Sequence, residues 1–243
     1  MDSLESRIRD KSLLNLVTTA EELVPMFAGA AERPLNIGWS GFTPVGYPKA
    51  VPVAIANYVE QHNLQGKWKF NVYTGASSGE ECDDRWAHLK IINKRWPYQT
   101  GKNIAKGINS GEINMGDMHL SSFAQDLFYG FYTKDGERMD YAFIEASAIT
   151  EDGDIVLTGA VGIAPELISI ADKIVVEINT LFPSFEGIHD IILPRKPPGK
   201  RPIGILNVSD RIGTTYVPTD KSKIVAIVHS QMPDMGRSLR CID

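Results

Sequence analysis

The sequence is poor in the residues that build disulfide frameworks and metal cages. Among its 243 residues only Cys82 and Cys241 are cysteines, and they lie far apart in the chain. Such usage is typical of a reducing compartment, and it excludes a small disulfide-stapled fold and a thiolate metal site. The five histidines are dispersed too, with no pair at the i, i+4 spacing of a helical zinc site. We therefore expect no metal ligands and no tightly bound cofactor.

An excess of positive charge and a long apolar run are missing as well. Lysine and arginine number 25 against 30 acidic residues, and this net charge of −5 argues against a nucleic-acid partner. No apolar stretch approaches the roughly 18 residues of a membrane span, so we expect no membrane association. The first residues of the chain are acidic and lack an apolar secretory core, which favours a cytoplasmic location over the mitochondrial alternative.

What is present fits an α/β domain with a mainly parallel sheet flanked by helices. The hydrophobic content of 43% is enough for a sizeable core. Helical and strand patterns alternate along the chain, as they do in this fold class. Strands are predicted at Leu35 to Trp39, Trp68 to Tyr73, Tyr141 to Glu145, Ile155 to Leu157, Lys173 to Ile178 and Ile224 to Val228. Helices are predicted from a Thr19/Glu22 capping box to about Ala30, and over Val51 to Val59, Glu80 to Ile92, Lys102 to Asn109, His119 to Tyr129 and Pro165 to Ala171.

The most prominent local motif is a glycine-rich loop between the first predicted strand and its helix. It runs from Gly38 to Lys49 and includes Gly41 and Gly46. Glycines permit tight turns and close approach of a ligand, and the positive end of the following helix suits an anion. Lys49 would add a full positive charge. The spacing matches neither a P-loop nor a dinucleotide fingerprint, and an ordinary strand-to-helix turn remains the alternative.

A second loop suggests a competing chemistry. Residues Gly75 to Gly79 match G-x-S-x-G, with Ser77 at the centre, between a predicted strand and helix. A serine esterase or thioesterase would combine Ser77 with an acid such as Asp172 and a base such as His189 or His229. Only one clear strand precedes that of the loop, and neither histidine lies in a context typical of a base. The favoured interpretation of Ser77 is a hydrogen-bonding loop residue.

Two charged features have both a functional and a structural interpretation. Glu145 lies at a predicted strand end in apolar surroundings, where desolvation would raise the pKa of its carboxyl. The favoured interpretation is a carboxylate that pairs with backbone donors at a turn. The segment Arg195 to Arg201 carries four cations in a proline-rich loop. It would either bind a phosphate or remain a solvated loop, and the second is the more common case.

Seven stretches of the sequence together resemble the acetyl-CoA hydrolase/transferase family, which includes succinyl-CoA:acetate CoA-transferases. The resemblance runs in order from about residue 15 to residue 228. Several independent motifs in sequence make this resemblance more specific than any one of them. The stretches are Ile37 to Thr43, Gly46 to Pro52, Thr74 to Gly79, Asn109 to Glu112, Asp117 with His119, Glu145 to Gly153, and Glu186 to Asp190.

The resemblance implies the fold of the N-terminal domain of a family I CoA-transferase. It also implies an active site between two α/β halves, with a nucleophilic glutamate in the second half. That glutamate attacks the acyl-CoA thioester to give an anhydride, and CoA returns to form a glutamyl-CoA thioester. A carboxylic acid such as acetate then accepts the CoA, or water accepts it in a hydrolase. This chain resembles the first half only, and the nucleophile is expected beyond Asp243.

The resemblance assigns a substrate-binding role to loop residues and none of the covalent chemistry. We expect no catalytic residue in this chain, and we expect CoA to be a substrate. The acyl and carboxylate pocket is expected to include six residues: Gly41, Phe42, Thr43, Gly46, Lys49 and Ser77. Such groups position a substrate and exclude water.

The implied organisation is a CoA-transferase N-terminal domain over residues 1–228 and a short unpatterned tail over residues 229–243. The expected ligands are an acyl-CoA and a small carboxylate such as acetate. The expected assembly is a homodimer or a pairing with a C-terminal half. A non-catalytic, truncated subunit that binds acyl-CoA is the further alternative.

Overall fold

A computed structural model describes residues 3–132, 138–199 and 202–236. These residues form one nine-stranded, mainly parallel sheet flanked by helices, which confirms the predicted fold class. The strands are β1 (Val17–Thr18), β2 (Leu35–Trp39), β3 (Phe70–Thr74), β4 (Ile92–Trp96), β5 (Asn114–Met115), β6 (Met139–Ile149), β7 (Ile155–Leu157), β8 (Ala171–Asn179) and β9 (Ile224–Ser230). The α-helices are α1 (Leu4–Arg7), α2 (Ala20–Leu23), α3 (Ala50–Gln61), α4 (Arg85–His88), α5 (Lys102–Asn109), α6 (Leu120–Tyr129) and α7 (Ala164–Ile170).

The strands lie side by side in the order β1-β9-β8-β6-β2-β3-β4-β5, with β7 paired to β6. All neighbours along this path are parallel, and β7 alone runs antiparallel to its partner. The hairpin between β6 and β7 turns at Gly153, whose φ of +90° only glycine adopts readily. The Asp152-Gly153 pair at this position is a sequence signal for a hairpin turn.

Apolar residues cover both faces of the sheet. Along β6, Tyr141 and Phe143 belong to the core beneath α3, whereas Ala142 and Ile144 belong to the core on the side of α6 and α7. This alternation is the period of two that a strand imposes on its side chains. A parallel sheet is buried on both faces in this way.

Two predicted helices differ from the structure. The segment predicted to be helical from Glu80 to Ile92 begins as a π-helical turn (Glu80–Asp84), continues as α4, and gives way to β4 at Ile92. The N-terminal helix has the predicted capping box at Thr19 and Glu22, but only its first turn is α-helical. The rest is a 3-10 helix (Val24–Ala31) with Pro25 in its first turn, because proline lacks the N–H that would continue the α-helical ladder.

The last strand extends two residues beyond the predicted Val228, and in the segment that follows it the carbonyl of Met232 accepts a hydrogen bond from the side-chain amide of Asn179 at 2.7 Å. The final seven positions of the predicted tail, residues 237–243, lie outside the described residues. In the described part of the chain no helix is long and apolar enough to cross a membrane. The same residues contain no cluster of three or more histidine, cysteine or acidic side chains that could hold a metal ion.

Candidate functional site

The predicted site loops meet at the edge of the sheet where the parallel strands end. The first loop, Ser40 to Lys49, follows β2, and the second, Gly75 to Gly79, follows β3. Since β2 and β3 are adjacent and parallel, their carboxyl ends lie at one edge. Ligands of open α/β sheets bind in crevices at this edge. We call these two segments the first and second loop below.

The loops approach each other so closely that only glycine fits at the contact. A Cβ atom on Gly75 would lie 2.7 Å from the carbonyl oxygen of Gly41, and a Cβ atom on Gly162 would lie 2.5 Å from the same oxygen. Gly41 itself has a φ of +104°, a backbone region that other residues rarely adopt. Gly41 and Gly75, which the sequence motifs include, and Gly162, which they do not, therefore allow three chain segments to converge.

The first loop is a tight turn with one large apolar side chain left in solvent. Phe42 and Val45 exchange backbone hydrogen bonds, and the hydroxyl of Ser40 donates to the carbonyl of Gly46. The turn directs the side chain of Phe42 outward, where it is 46% exposed. Thr43 is exposed as well, with a φ of +51°. The structure thus gathers the predicted Gly41, Phe42, Thr43 and Gly46 in a single turn.

Lys49 is buried and fully engaged by protein groups. Its side chain is 1% exposed, and its ammonium donates to Glu145 and to the carbonyl of Tyr47 at 2.9 Å. The ammonium also lies 2.9 Å from Oδ1 of Asp234, which accepts a hydrogen bond from the backbone N–H of Gly46. Burial acts to lower the pKa of Lys49, but Glu145 and Asp234 outweigh it and hold that pKa above its usual value. Lys49 therefore fastens the first loop to the sheet through its charge.

Glu145 lies in the middle of β6 rather than at its end, so the turn interpretation is wrong. Its side chain is fully buried, and its two oxygens accept hydrogen bonds from Lys49, from the hydroxyl of Thr158 at 2.7 Å and from the amide of Asn179 at 3.2 Å. Desolvation is the main cause that raises the pKa of Glu145 to about 7, while Lys49 opposes it and Glu177 adds to it. The interpretation failed because β6 continues four residues beyond the predicted strand.

Because the pKa of Glu145 is raised, we expect its ionisation to make the stability of the protein depend on pH. The ordinary carboxyl pKa is 4.5, so between pH 4.5 and about 7 the folded protein holds more protons than the unfolded chain. The free energy of unfolding should therefore fall as pH rises through this window. Glu145→Gln should abolish that fall, as urea denaturation at pH 5, 6, 7 and 8 would show. Glu112 is exposed, and Lys90 lowers the pKa of its carboxyl, so the control Glu112→Gln should keep the wild-type dependence of stability on pH. The prediction is contradicted if Glu145→Gln keeps that dependence as well.

The amino end of α3, expected to attract an anion, is occupied by a carboxylate of the protein. Glu177 on β8 accepts hydrogen bonds from the backbone N–H groups of Lys49 and Ala50, with shortest distances of 3.0 and 2.9 Å, and from that of Val51 at 3.3 Å. The positive end of the helix dipole stabilises such a charge. The anion at this helix end is therefore the carboxylate of Glu177, and it is not a bound ligand.

The second loop is held by a buried arginine that the sequence did not reveal. Arg95 on β4 is fully buried; it donates to the carbonyl of Ala76 at 2.9 Å and pairs with Asp83 at 2.8 Å. Ser77 and Ser78 in this loop are 6% and 9% exposed, and the hydroxyl of Ser78 has no hydrogen-bond partner in the described structure. Both loops thus depend on buried ion pairs behind them.

The structure does not assemble the serine triad suggested by the second loop. Asp172 is the second residue of β8, so it lies at the opposite edge of the sheet from Ser77, and it pairs with Arg138. His229 is on β9, four strands from β3, or roughly 19 Å at the usual spacing, and its ring contacts Thr180. The ring of His189 instead contacts the carbonyl of Thr158 at 2.8 Å.

The predicted basic loop is only partly described. Arg195 and Lys196 are exposed, and the ammonium of Lys196 lies 5.5 Å from the ring centre of Phe128. Lys200 and Arg201 lie outside the described residues. The two described cations have the solvated character that the sequence analysis favoured.

Sequence reasoning missed Asp234, Glu177, Thr158 and Asn179 as parts of the site. They contact residues of the first loop or of β6 that are between 13 and 188 positions away in the chain. No local spacing marks such contacts. Only the order of the strands brings β8, β9 and their following segments to the first loop.

Comparisons with known proteins find relatives over nearly the whole chain. Residues 1–229 match the family described as acetyl-CoA hydrolase/transferase N-terminal domain. An acetyl-CoA hydrolase of Saccharomyces cerevisiae is 51% identical over 234 residues, which cover 95% of this chain and 44% of that protein. An acetyl-CoA hydrolase of Neurospora crassa is 48% identical over 234 residues, which cover 96% of this chain and 44% of that protein. The chain thus spans less than half the length of the curated relatives it matches.

Solved structures show the same fold at low sequence identity. RipA from Yersinia pestis superposes with a TM-score of 0.59 at 17% identity, covering 94% of this chain and 44% of RipA. A glutaconate coenzyme A-transferase from Acidaminococcus fermentans superposes with a TM-score of 0.55 at 14% identity, covering 89% of this chain and 76% of that one. At such identities the likeness concerns the fold alone.

Proposed function

Since the chain belongs to the acetyl-CoA hydrolase/transferase family, we propose that it supplies the substrate-binding half of an enzyme that hydrolyses acetyl-CoA or transfers CoA from an acyl-CoA such as succinyl-CoA to acetate. The observation that carries the proposal is the convergence of the first and second loops on Gly41 and Gly75 at the carboxyl edge of the sheet. This edge is where α/β sheets bind ligands. The exposed Phe42 and Thr43 offer contacts to a ligand there.

In this proposal the six predicted pocket residues have four different roles. Phe42 and Thr43 would contact the acyl group, and Gly41 and Gly46 let the backbone approach it. The ammonium of Lys49 is buried between protein carboxylates and the first loop. We assign Lys49 to positioning that loop, which shapes the pocket before substrate arrives. Ser77 stays assigned to the pocket wall of the second loop.

The proposal leaves the covalent step to another part of the enzyme. Glu145 is the one glutamate that the sequence analysis weighed, and both of its oxygens are buried against protein donors. A nucleophile must reach the thioester carbon, so this geometry disqualifies Glu145. We therefore propose that a second half, or another subunit that carries one, provides the nucleophile.

Complementation tests the proposal directly. We expect the purified chain alone to release CoA from acetyl-CoA no faster than buffer does. Co-expression with the second half of the Saccharomyces cerevisiae relative should restore release, which a thiol reagent would follow. Phe42→Ala in the restored enzyme should raise KM for acetyl-CoA, because it removes an apolar contact worth about 1 kcal/mol or more.

Two outcomes would favour the alternatives. Rapid turnover by the chain alone, lost on Ser77→Ala, would contradict the proposal and support a serine esterase or thioesterase. Binding of CoA by calorimetry, without activity after complementation, would support a non-catalytic acyl-CoA-binding subunit.

Size-exclusion chromatography of the chain alone and with the second half would distinguish a homodimer from a pairing of halves. A cytoplasmic location stays a prediction, for which fluorescence microscopy of the tagged chain is the test.

A further inference from the structure

A row of polar side chains crosses the sheet at the edge opposite to the proposed substrate site. Six neighbouring strands contribute one residue each, and in five of them it is the second residue of the strand. In the order of the strands the row consists of Asp172 (β8), Asp140 (β6), Asn36 (β2), Asn71 (β3), Asn93 (β4) and Asn114 (β5). The row lines a cavity of about 640 Å³, together with Arg33, Pro34, Lys94 and Arg138.

Three of the asparagines form a directional chain of hydrogen bonds. Asn93 donates to Asn71 at 2.7 Å, Asn71 donates to Asn36 at 2.8 Å, and Asn36 donates to the backbone carbonyl of Arg138 at 3.0 Å. The carbonyl can only accept, so it fixes the orientation of every amide in the chain. Each of these bonds uses one of the two N–H groups that an asparagine amide carries. The chain therefore has spare donors for a ligand.

A β-bulge places an extra side chain in the cavity. The pairing of β3 and β4 shifts at Asn93, because Phe70 is opposite Ile92 while Asn71 is opposite Lys94. Bulges direct neighbouring side chains to the same side and recur next to functional sites. Here the bulge brings both Asn93 and Lys94 to the lining of the cavity.

The charges of the lining favour an anion. Three cations face two carboxylates, and each carboxylate already pairs with an arginine, Asp140 with Arg33 and Asp172 with Arg138. Lys94 has no carboxylate partner in the described structure; its ammonium lies 5.6 Å from the ring centre of Trp96. A lysine and several amide donors that line one cavity form a suitable site for a small oxyanion.

We propose that this cavity at the amino edge of the sheet is a binding site for a small oxyanion, held by Lys94 and the amides of the asparagine row. Asn36 and Asn71, at 2% and 6% exposure, form its buried floor. The site is independent of the proposed acyl-CoA chemistry, because the loops of that site follow the opposite ends of the same strands. Failure of one proposal therefore leaves the other intact.

Calorimetric titration of the chain with inorganic phosphate, at constant ionic strength set with chloride, tests the proposal. We expect saturable binding with a Kd of about 1 mM. Lys94→Met should weaken binding at least about tenfold, as loss of a charged hydrogen bond does, and Lys94→Arg should restore most of it. Lys102→Met removes the same charge from an exposed position after the carboxyl end of β4 and should bind like wild type.

A second variant distinguishes hydrogen bonding to phosphate from general electrostatic attraction of the anion. Asn93→Ala removes an amide donor without changing the charge, and it should also weaken binding several-fold. Circular dichroism would establish that each variant is folded. The proposal is overturned if the wild-type chain shows no saturable binding up to about 10 mM phosphate. It is also overturned if Lys94→Met and Lys102→Met weaken binding equally.

Discussion

Replacement of Lys49 by methionine is expected to lower the free energy of unfolding at pH 8 by about 3–5 kcal/mol, the usual cost of leaving a buried charge without its partner. Lys49 is 1% exposed and balances Glu145 and Asp234 at once. Methionine has a similar length and no charge, so the loss measures the charge rather than a cavity. Urea denaturation followed by tryptophan fluorescence would determine the change.

The cost of Lys49→Met should depend on pH in a direction that the structure dictates. Without the ammonium, burial would raise the pKa of Glu145 even further than its present value of about 7. At pH 5 Glu145 would take up a proton and become neutral, so the destabilisation should be smaller than at pH 8. An equal cost at both pH values would contradict this account of the pair.

An exposed ion pair provides the matched control for Lys49. The side chains of Lys90 and Glu112 pair at 2.9 Å but are 61% and 54% exposed. Because solvent screens such pairs, Lys90→Met should lower the free energy of unfolding by less than about 1 kcal/mol. A comparable loss in both variants would show that burial does not set the strength of the Lys49 cluster.

The local parts of the fold were predictable because short-range chemistry determines them. The helix predicted over Val51 to Val59 is present as α3, and Val51, Ile55 and Val59 are buried at helical spacing on one of its faces. The Thr19/Glu22 capping box and the turn at Gly153 depend on residues that are close in sequence. Propensity and turn chemistry act over such distances, so the sequence alone was sufficient there.

Strand β4 was missed because its sequence lacks the pattern of a buried strand. It reads Ile92-Asn-Lys-Arg-Trp96, with three polar residues in the middle. Arg95 is nevertheless fully buried, since Asp83 and the carbonyl of Ala76 satisfy its guanidinium. Such compensation depends on tertiary contacts that periodicity does not encode.

The site was predictable only in its glycine loops. Gly41, Gly46 and Gly75 stood out because glycine permits a positive φ, as at Gly41 and Gly46, and a close backbone approach, as at Gly75. The buried ion pairs of Lys49 could not be predicted, because its carboxylate partners are 96 and 185 positions away in the chain. Asp234 could not be found at all, since it comes from a segment after β9 without any pattern of its own.

Gly41→Ala is expected to lower the free energy of unfolding by about 2–6 kcal/mol, since strain in the backbone and overpacking each cost about 1–3 kcal/mol. Gly41 has a φ of +104°, and a Cβ atom there would lie 2.7–2.8 Å from the backbone and Cβ atoms of Tyr47. Those atoms belong to the same loop as Lys49 and cannot move without disturbing the buried ion pairs. The variant should therefore both destabilise the fold and displace the first loop.

Gly111→Ala separates these two causes. Gly111 also has a positive φ, +80°, but a Cβ atom there would meet nothing within 4 Å. The substitution should cost only the backbone term, about 1–2 kcal/mol, and leave the first loop in place. In the complemented enzyme Gly41→Ala should abolish acetyl-CoA hydrolysis while Gly111→Ala retains it. Equal losses of stability in the two variants would show that the contact between Gly41 and Tyr47 does not constrain the loop, and the proposed pocket would lose its structural basis.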